Sequence, residues 1–292
     1  MWHGDMIEDV WGWRKRPFCH PISNFTTRKS KVQELASNQF HIVASLFNKI
    51  DHNIAVVHSV IEGNSPGRIF VDRVEVPTVA YLIFEGAFHY IGGTPANDAF
   101  NQAIISFLFE QFLPEQAEKE LVLFAFTTAW REKLDALLHP YGAITIHRKI
   151  FRFDYARFQV HAGWRERIPD GFTLKHIDAE LAEKHPDFKS IVDANTKRFG
   201  VCLMRGDEIA AVCSAVCVGG SEAEIDIFTD EKYRQQGLAT IVACAFIEES
   251  LSRKLTPNWA CWPERKASVA LAKKLGFVEQ FDVPAHLWAE DL

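Results

Sequence analysis

The chain has 292 residues, 48% of them apolar and 24% charged, enough to bury a core and to form one large or two ordinary domains. Its formal charge of −6 argues against a nucleic-acid binder, which would show a basic stripe, and no apolar run reaches the roughly 18–20 residues needed to cross a bilayer. The opening MWHGDMIEDVWGWRKRP carries acids early and lacks a leader's apolar core, so the expectation is a cytoplasmic protein with no membrane or nucleic-acid partner.

Residues 1–30 read as an N-terminal extension, its basic cluster Arg14–Arg16 offset by Asp5, Glu8 and Asp9. Lys31–Lys49 is helical in pattern. Ile54–Glu62, Arg68–Arg73 and Thr78–Phe84 read as strands, separated by turn signals such as Asn64-Ser65-Pro66-Gly67. Thr94-Pro95 opens a helix that carries Phe100, Ala103, Ile104, Phe107 and Leu108 on one face. A strand at Leu121–Thr127, a helix at Trp130–Leu138 and a strand at Gly142–Phe153 complete the half at 31–153, and residues 154–170 form a connection.

The half at 171–292 has sharper punctuation. Asp178–Phe199 is helical, interrupted at Pro186. Strands Gly200–Arg205 and Glu208–Val218 flank the turn Gly206-Asp207, and Glu224–Thr229 alternates polar and apolar residues. Leu238, Ile241, Val242, Ala245 and Phe246 mark one face of a helix that runs to Lys254 and is stopped by Pro257. Asn258–Cys261 is a short strand, a helix follows Pro263 and ends at Gly276, and Phe277–Val283 is the last strand. The order helix, three strands, helix, strand, helix, strand therefore occurs twice. The fold expected is α/β, with a mixed α+β sheet built as two tandem halves. The six cysteines form no C-x-x-C pair and read as small hydrophobes, so no metal is expected.

Chemistry concentrates in Glu224–Ala239, EIDIFTDEKYRQQGLA, where a strand, a turn and a helix N-terminus follow one another. Such a terminus offers about four N–H groups without internal partners, and its dipole favours an anion. Gly237 lets the backbone approach phosphate oxygens, and small Ala239 leaves the first turn unobstructed. Nucleotide loops of the G-x-x-x-x-G-K-[ST] or G-x-G-x-x-G type are absent.

Arg234-Gln235-Gln236-Gly237-Leu238-Ala239 after a strand resembles the acyl-CoA pyrophosphate loop of the GNAT acyltransferase superfamily, R/Q-x-x-G-x-G/A, and FTDEKYRQQGLAT looks like its bacterial GNAT acetyltransferase branch. Ser268–Phe277, closing in Lys274-Leu275-Gly276-Phe277, is similar to the superfamily's later helix. The resemblance implies acetyl-CoA as co-substrate and an N-acyltransferase that joins an acetyl group to the amine of a small molecule or peptide. It implies main-chain contacts to the pantetheine arm from Ile227, Phe228 and Thr229. The pyrophosphate would lie on the N–H groups of Gln235, Gln236, Gly237, Leu238, Ala239 and Thr240, assisted by Arg234, with Ser268 near CoA. Glu224 and Asp226 share a strand face where family bases often lie. The usual Tyr four residues before the closing Gly is Ala272 here, which leaves Tyr233, Cys261 or water to protonate the thiolate, or the thiolate to leave unassisted, with a non-catalytic acyl-CoA-binding regulator or scaffold as the alternative reading. At the first half's junction, IGGTPAND has no Arg or Gln placed like Arg234, so only the second half is expected to bind CoA. Fused halves permit a monomer and do not exclude a dimer.

Overall fold

The computed structural model describes residues 32–48, 50–84 and 88–292, so the extension at 1–30 and both ends of the helix expected at Lys31–Lys49 lie outside the described residues. In the first half, β1 (Gln33–Glu34), a 3-10 helix (Ser37–Phe47) and α1 (Ile54–Ile61) precede β2 (Gly67–Val71), β3 (Val79–Phe84) and β4 (Phe88–Gly93). Then come α2 (Asp98–Phe107), β5 (Glu120–Ala125), α3 (Thr128–Leu138) and β6 (Ile144–Phe153). The second half opens with β7 (Thr173–His176) and α4 (Ala179–Lys184), followed by β8 (Gly200–Arg205), β9 (Glu208–Gly219) and β10 (Glu222–Thr229). It closes with α5 (Leu238–Ser252), β11 (Thr256–Cys261), α6 (Lys266–Lys274) and β12 (Phe277–Ala289).

The strands join in one mixed sheet, ordered β1-β2-β3-β4-β5-β12-β6-β11-β10-β9-β8-β7. Each half contributes an antiparallel run ending in a parallel pair, β4 with β5 and β10 with β11. The final strands then change places. β12 lies between β5 and β6, with Ala285 opposite Phe124 on one side and Ile146 on the other. β6 lies between β12 and β11, with Ile150 opposite Ala260. Each half therefore completes its sheet with a strand of the other, about a local pseudo-twofold, and the element order repeated in the sequence reappears as two tandem halves. Among the described residues no helix is long and apolar enough to cross a membrane.

Several elements differ from the expectations: β1 falls within the span read as helical at Lys31–Lys49, β7 lies where no strand is expected, and the helix read from Thr94-Pro95 starts at Asp98 behind the cap Asn97. Ile54–Glu62, read as a strand, is the helix α1, preceded by Asn53 in a left-handed conformation (φ 52°). Its Val- and Ile-rich composition favours strands by about 1 kcal/mol at most, whereas burying each such side chain gains about 1.5–3 kcal/mol, and burial decides. Ala55, Val56, Val57, Val60 and Ile61 are all buried in one core with Val216 and Cys217 of β9, so the helix is apolar nearly all round. A Cβ at Gly219 would lie 2.2 Å from the Ser59 nitrogen, so only glycine admits this close approach of α1 to β9. The contact is pinned by Gly220, whose N–H donates to Glu62 at 2.9 Å, and by Asn64, which donates to the Val218 carbonyl at 3.1 Å.

The third strand of the first half is instead β4, where His89 is buried by bonding the Tyr81 hydroxyl at 2.7 Å. In the second half, the helix expected over Asp178–Phe199 is shorter. Asp178 caps α4 through the Leu181 N–H, and beyond Lys184 only a 3-10 turn at Pro186–Phe188 continues it.

Candidate active site

β10 and β11 pair in parallel only over Glu222–Glu224 and Thr256–Asn258. Beyond that point Ile225–Thr229 keeps β9 as its neighbour while Trp259–Cys261 turns its edge to β6, and the two strands fork. A register shift between Glu224 and Ile225 falls at the same place. In the first half, by contrast, β4 pairs with β5 from Phe88–Val122 through Ile91–Ala125, to the end of β5, and no such fork is present there.

The open end of the fork leads to the loop before α5. Gln235 and Gly237 both have positive φ, at 63° and 79°, and Gly237 is the N-cap of α5 with no side chain capping the helix. Among the described residues no intramolecular bond takes up the N–H groups of Gln235 to Ala239. Thr240 differs from the expectation, since its N–H donates to the Gly237 carbonyl at 3.0 Å and its hydroxyl accepts from Lys274 at 3.0 Å. A Cβ built on Gly237 meets nothing within 4 Å, so the space in front of these donors is open. No acid lies in the first turn of α5. These are the features of an anion cradle. The counterpart in the first half is closed: the Asn97 side chain accepts the Phe100 N–H of α2 at 3.1 Å, and Asp98 occupies the first turn.

Arg234 points along the surface. It is 57% exposed, pairs with Glu231 at 3.3 Å, and donates through Nε to the Thr229 carbonyl at 3.4 Å, bracing the loop against the end of β10. Leu238 is buried against the second-half core, Gln235 and Gln236 are exposed, and Ile227, Phe228 and Thr229 are half-buried along the fork. Ser268 accepts from the Trp259 indole at 3.1 Å, which ties α6 to β11.

The two carboxylates differ in setting. Glu224 stands at the last paired position before the fork and is buried. One carboxylate oxygen accepts from Arg148 of β6 at 3.0 Å, the other from Asn258 of β11 at 2.5 Å. Burial pushes its carboxyl up to about 7, against the pull of Arg148 and Asn258. Glu222, two residues back on the same face, is also pushed up to about 7 by burial. Asp226 lies two residues on, half-buried and inside the fork. A cleft of about 350 Å³ is lined by Thr145, Ile146 and His147 from the first half and Trp262, Pro263, Glu264 and Asp282 from the second, and Trp262 links it to the cluster, its ring lying 5.6 Å from the Arg148 guanidinium.

For the thiolate's proton, Ala272 is buried in the second-half core, and Tyr233 is committed, its buried hydroxyl donating to Glu208. Cys261, at the end of β11, is buried and its thiol is pushed up by that burial, with Ser268 beside it pulling the other way. Arg148, Asn258 and Trp262 escaped sequence reading. Arg148 is one of three cations in its strand, with Lys149 and Arg152, so the sequence does not single it out, and nothing local says that this strand enters the other half.

The sequence profile of the GNAT acetyltransferase family matches residues 44–285. The chain is 26% identical over 257 residues to an uncharacterized N-acetyltransferase, YdfB, of Bacillus subtilis (strain 168), covering 85% of this chain and 95% of that protein. Its fold is similar to a GCN5-related N-acetyltransferase-like protein from Streptococcus suis 89/1591, with a TM-score of 0.61, 22% identity, and coverage of 86% of this chain and 98% of the other. It is similar as well to a tandem GNAT protein from the clavulanic acid biosynthesis pathway, with a TM-score of 0.60, 13% identity, and coverage of 88% and 98%.

Proposed function

Because the chain belongs to the GNAT acetyltransferase family and is an N-acetyltransferase of that type, we propose that its second half alone transfers an acetyl group to an amine, in a cleft shared by both halves. Members of the family generally take acetyl-CoA as co-substrate, and the residues present fit it. The observation that carries the reading is the contrast between the two copies: an uncapped, acid-free helix N-terminus beside an open strand fork in one, a self-capped helix beside a closed strand pair in the other.

The N–H groups of Gln235 to Ala239 would hold the pyrophosphate, and the side of Ile227–Thr229 from which β11 has diverged would pair with the pantetheine arm as an added strand does. Arg234 supports this by holding the loop. Acetyl-CoA, when bound, supplies the activated acetyl group. Glu224 takes the proton of the attacking amine through a water in the fork, because a carboxyl near 7 is poised to accept a proton at neutral pH. Asp226, on the same face, draws the cationic amine inward. Cys261 is the proton donor nearest in kind to the missing Tyr. The amine enters through the cleft at Trp262, where Glu264 favours a cation and the indole offers an aromatic wall, while Asp282 on the opposite side is paired with Lys149 at 3.1 Å. A small molecule or an extended peptide suits such a cleft, and one chain supplies both halves without a partner subunit.

Three results are expected. Glu224→Gln lowers kcat by about 10²–10³, with CoA affinity nearly unchanged in calorimetry, and the loss shrinks at high pH as free amine accumulates. Asp226→Asn has a smaller effect, read chiefly in the acceptor's KM. A wild-type rate across pH in Glu224→Gln would overturn the base assignment. For the cleft, Glu264→Gln should raise the acceptor's KM about threefold at low salt and leave the KM for acetyl-CoA unmoved. Equal shifts in both constants would place the acceptor elsewhere.

A further inference from the structure

The first half reaches the chemistry of the second through one side chain. Arg148 belongs to β6, the strand that crosses the pseudo-twofold to lie between β11 and β12. Its guanidinium pairs with Glu224 at 3.0 Å, where the two side chains are 2% and 1% exposed, and it also donates to the Ala260 carbonyl at 3.3 Å. The rings of Phe88 and Trp262 each lie 5.6 Å from it, so neither water nor salt screens the pair. Phe88 comes from β4 of the first half and Trp262 from the cleft wall, so the guanidinium is held by aromatic faces of both halves.

We propose that Arg148 is a positioning residue by which the first half orients Glu224 and sets the pH at which it accepts a proton. This rests on the reading of Glu224 as the base. A carboxylate with no cation beside it in such a buried place would be protonated well above neutrality. Arg148 opposes burial and keeps the carboxyl within reach of pH 7, while the bonds to Ala260 and Glu224 fix its direction at the mouth of the fork. A cation drawn from the other half also makes the active site depend on the strand exchange.

Other groups face the pair. Glu222 and Asp226 lie on its own strand, Asn258 on β11, Cys217 on β9 and Tyr90 on β4, with His52 ahead of α1 within the field of Arg148. The Tyr90 phenol is pushed well above its ordinary value by burial, and His52 is held down to about 4, so neither titrates near 7. Glu222 does, and must be separated by its own variant.

The test uses the full chain and the pH profile of kcat/KM with a fixed acceptor amine, for wild type, Arg148→Lys, Arg148→Gln, Glu222→Gln and Glu224→Gln. The acidic limb should move upward in the order wild type, Lys, Gln, by at least one pH unit in Arg148→Gln, and should remain in Glu222→Gln. Lysine keeps the charge but cannot span Glu224 and Ala260 as the guanidinium fork does. A limb that stays in place in Arg148→Gln, or any other order, overturns the proposal. If Arg148→Gln fails to fold by circular dichroism, Arg148→Lys decides alone, and a limb at or below the wild-type pH overturns it. A Glu224→Gln enzyme at full rate would instead overturn the base assignment, whereas a crippled Glu224→Gln with an unmoved Arg148→Gln limb sinks only the role of Arg148.

Discussion

Replacing Gly237 by glutamate is expected to abolish measurable CoA binding in a protein that remains folded. Gly237 has φ 79°, and a Cβ there projects into open space in front of the unpaired N–H groups of the α5 terminus. A carboxylate in that space would meet the pyrophosphate at roughly 4 Å, where like charges repel by about 4 kcal/mol at an effective dielectric near 20. At about 1.4 kcal/mol per decade, this is roughly a thousandfold in Kd, before the carboxylate itself occupies the donors. Backbone strain adds a separate effect, since a side chain in the left-handed region costs roughly 1–2 kcal/mol of stability. Gly237→Ala isolates that effect: its methyl meets nothing, so the melting temperature should fall about as far as in Gly237→Glu while CoA affinity falls much less. Calorimetric titration of both variants with CoA reads the difference. Wild-type affinity in Gly237→Glu would remove the loop from the CoA site.

This loop was legible in the sequence because its chemistry is local. An Arg, a Gly three residues on and a small residue two further lie within one turn of chain, and the strand and helix around them have strong periodicity of their own. The fork it serves was not legible. Where β10 stops pairing with β11 depends on which strand takes the other edge of β11, and that strand, β6, comes from more than a hundred residues upstream. The same non-local event hid the partner of Glu224. Read alone, Glu224 and Asp226 are equivalent acids on one face, and burial with Arg148 and Asn258 separates them. α1 was misread for a related reason. Composition reports what is buried, and a segment buried on nearly every side looks alike as helix or strand until its neighbours are known. β4 was passed over because His89, Gly92 and Gly93 interrupt its apolar run, although His89 is satisfied by Tyr81.

The strand exchange carries the second large expected effect. A fragment beginning at Ile168 contains the loop, both carboxylates and the whole helix α5, yet it should not give a soluble active monomer. It lacks β6, which pairs with β12 from Phe277 to Leu287 and with β11 from Trp259 to Cys261, so two strand edges are bared at the centre of the sheet. It also lacks α1, exposing Val216 and Cys217 of β9, and it leaves Glu224 buried without Arg148. Removing one partner of a buried pair typically costs about 3–5 kcal/mol, a large share of the 5–15 kcal/mol by which a domain is stable. The topology allows the fragment one soluble form, a symmetric dimer in which β12 of each copy stands where β6 stands here, since β6 and β12 occupy equivalent places about the pseudo-twofold. Light scattering after size exclusion should therefore show aggregate or dimer, and co-expression with residues 32–167 should restore a one-to-one complex with acetyl transfer. A monomeric fragment with full activity on the acceptor would overturn the shared site and leave the first half a separate module.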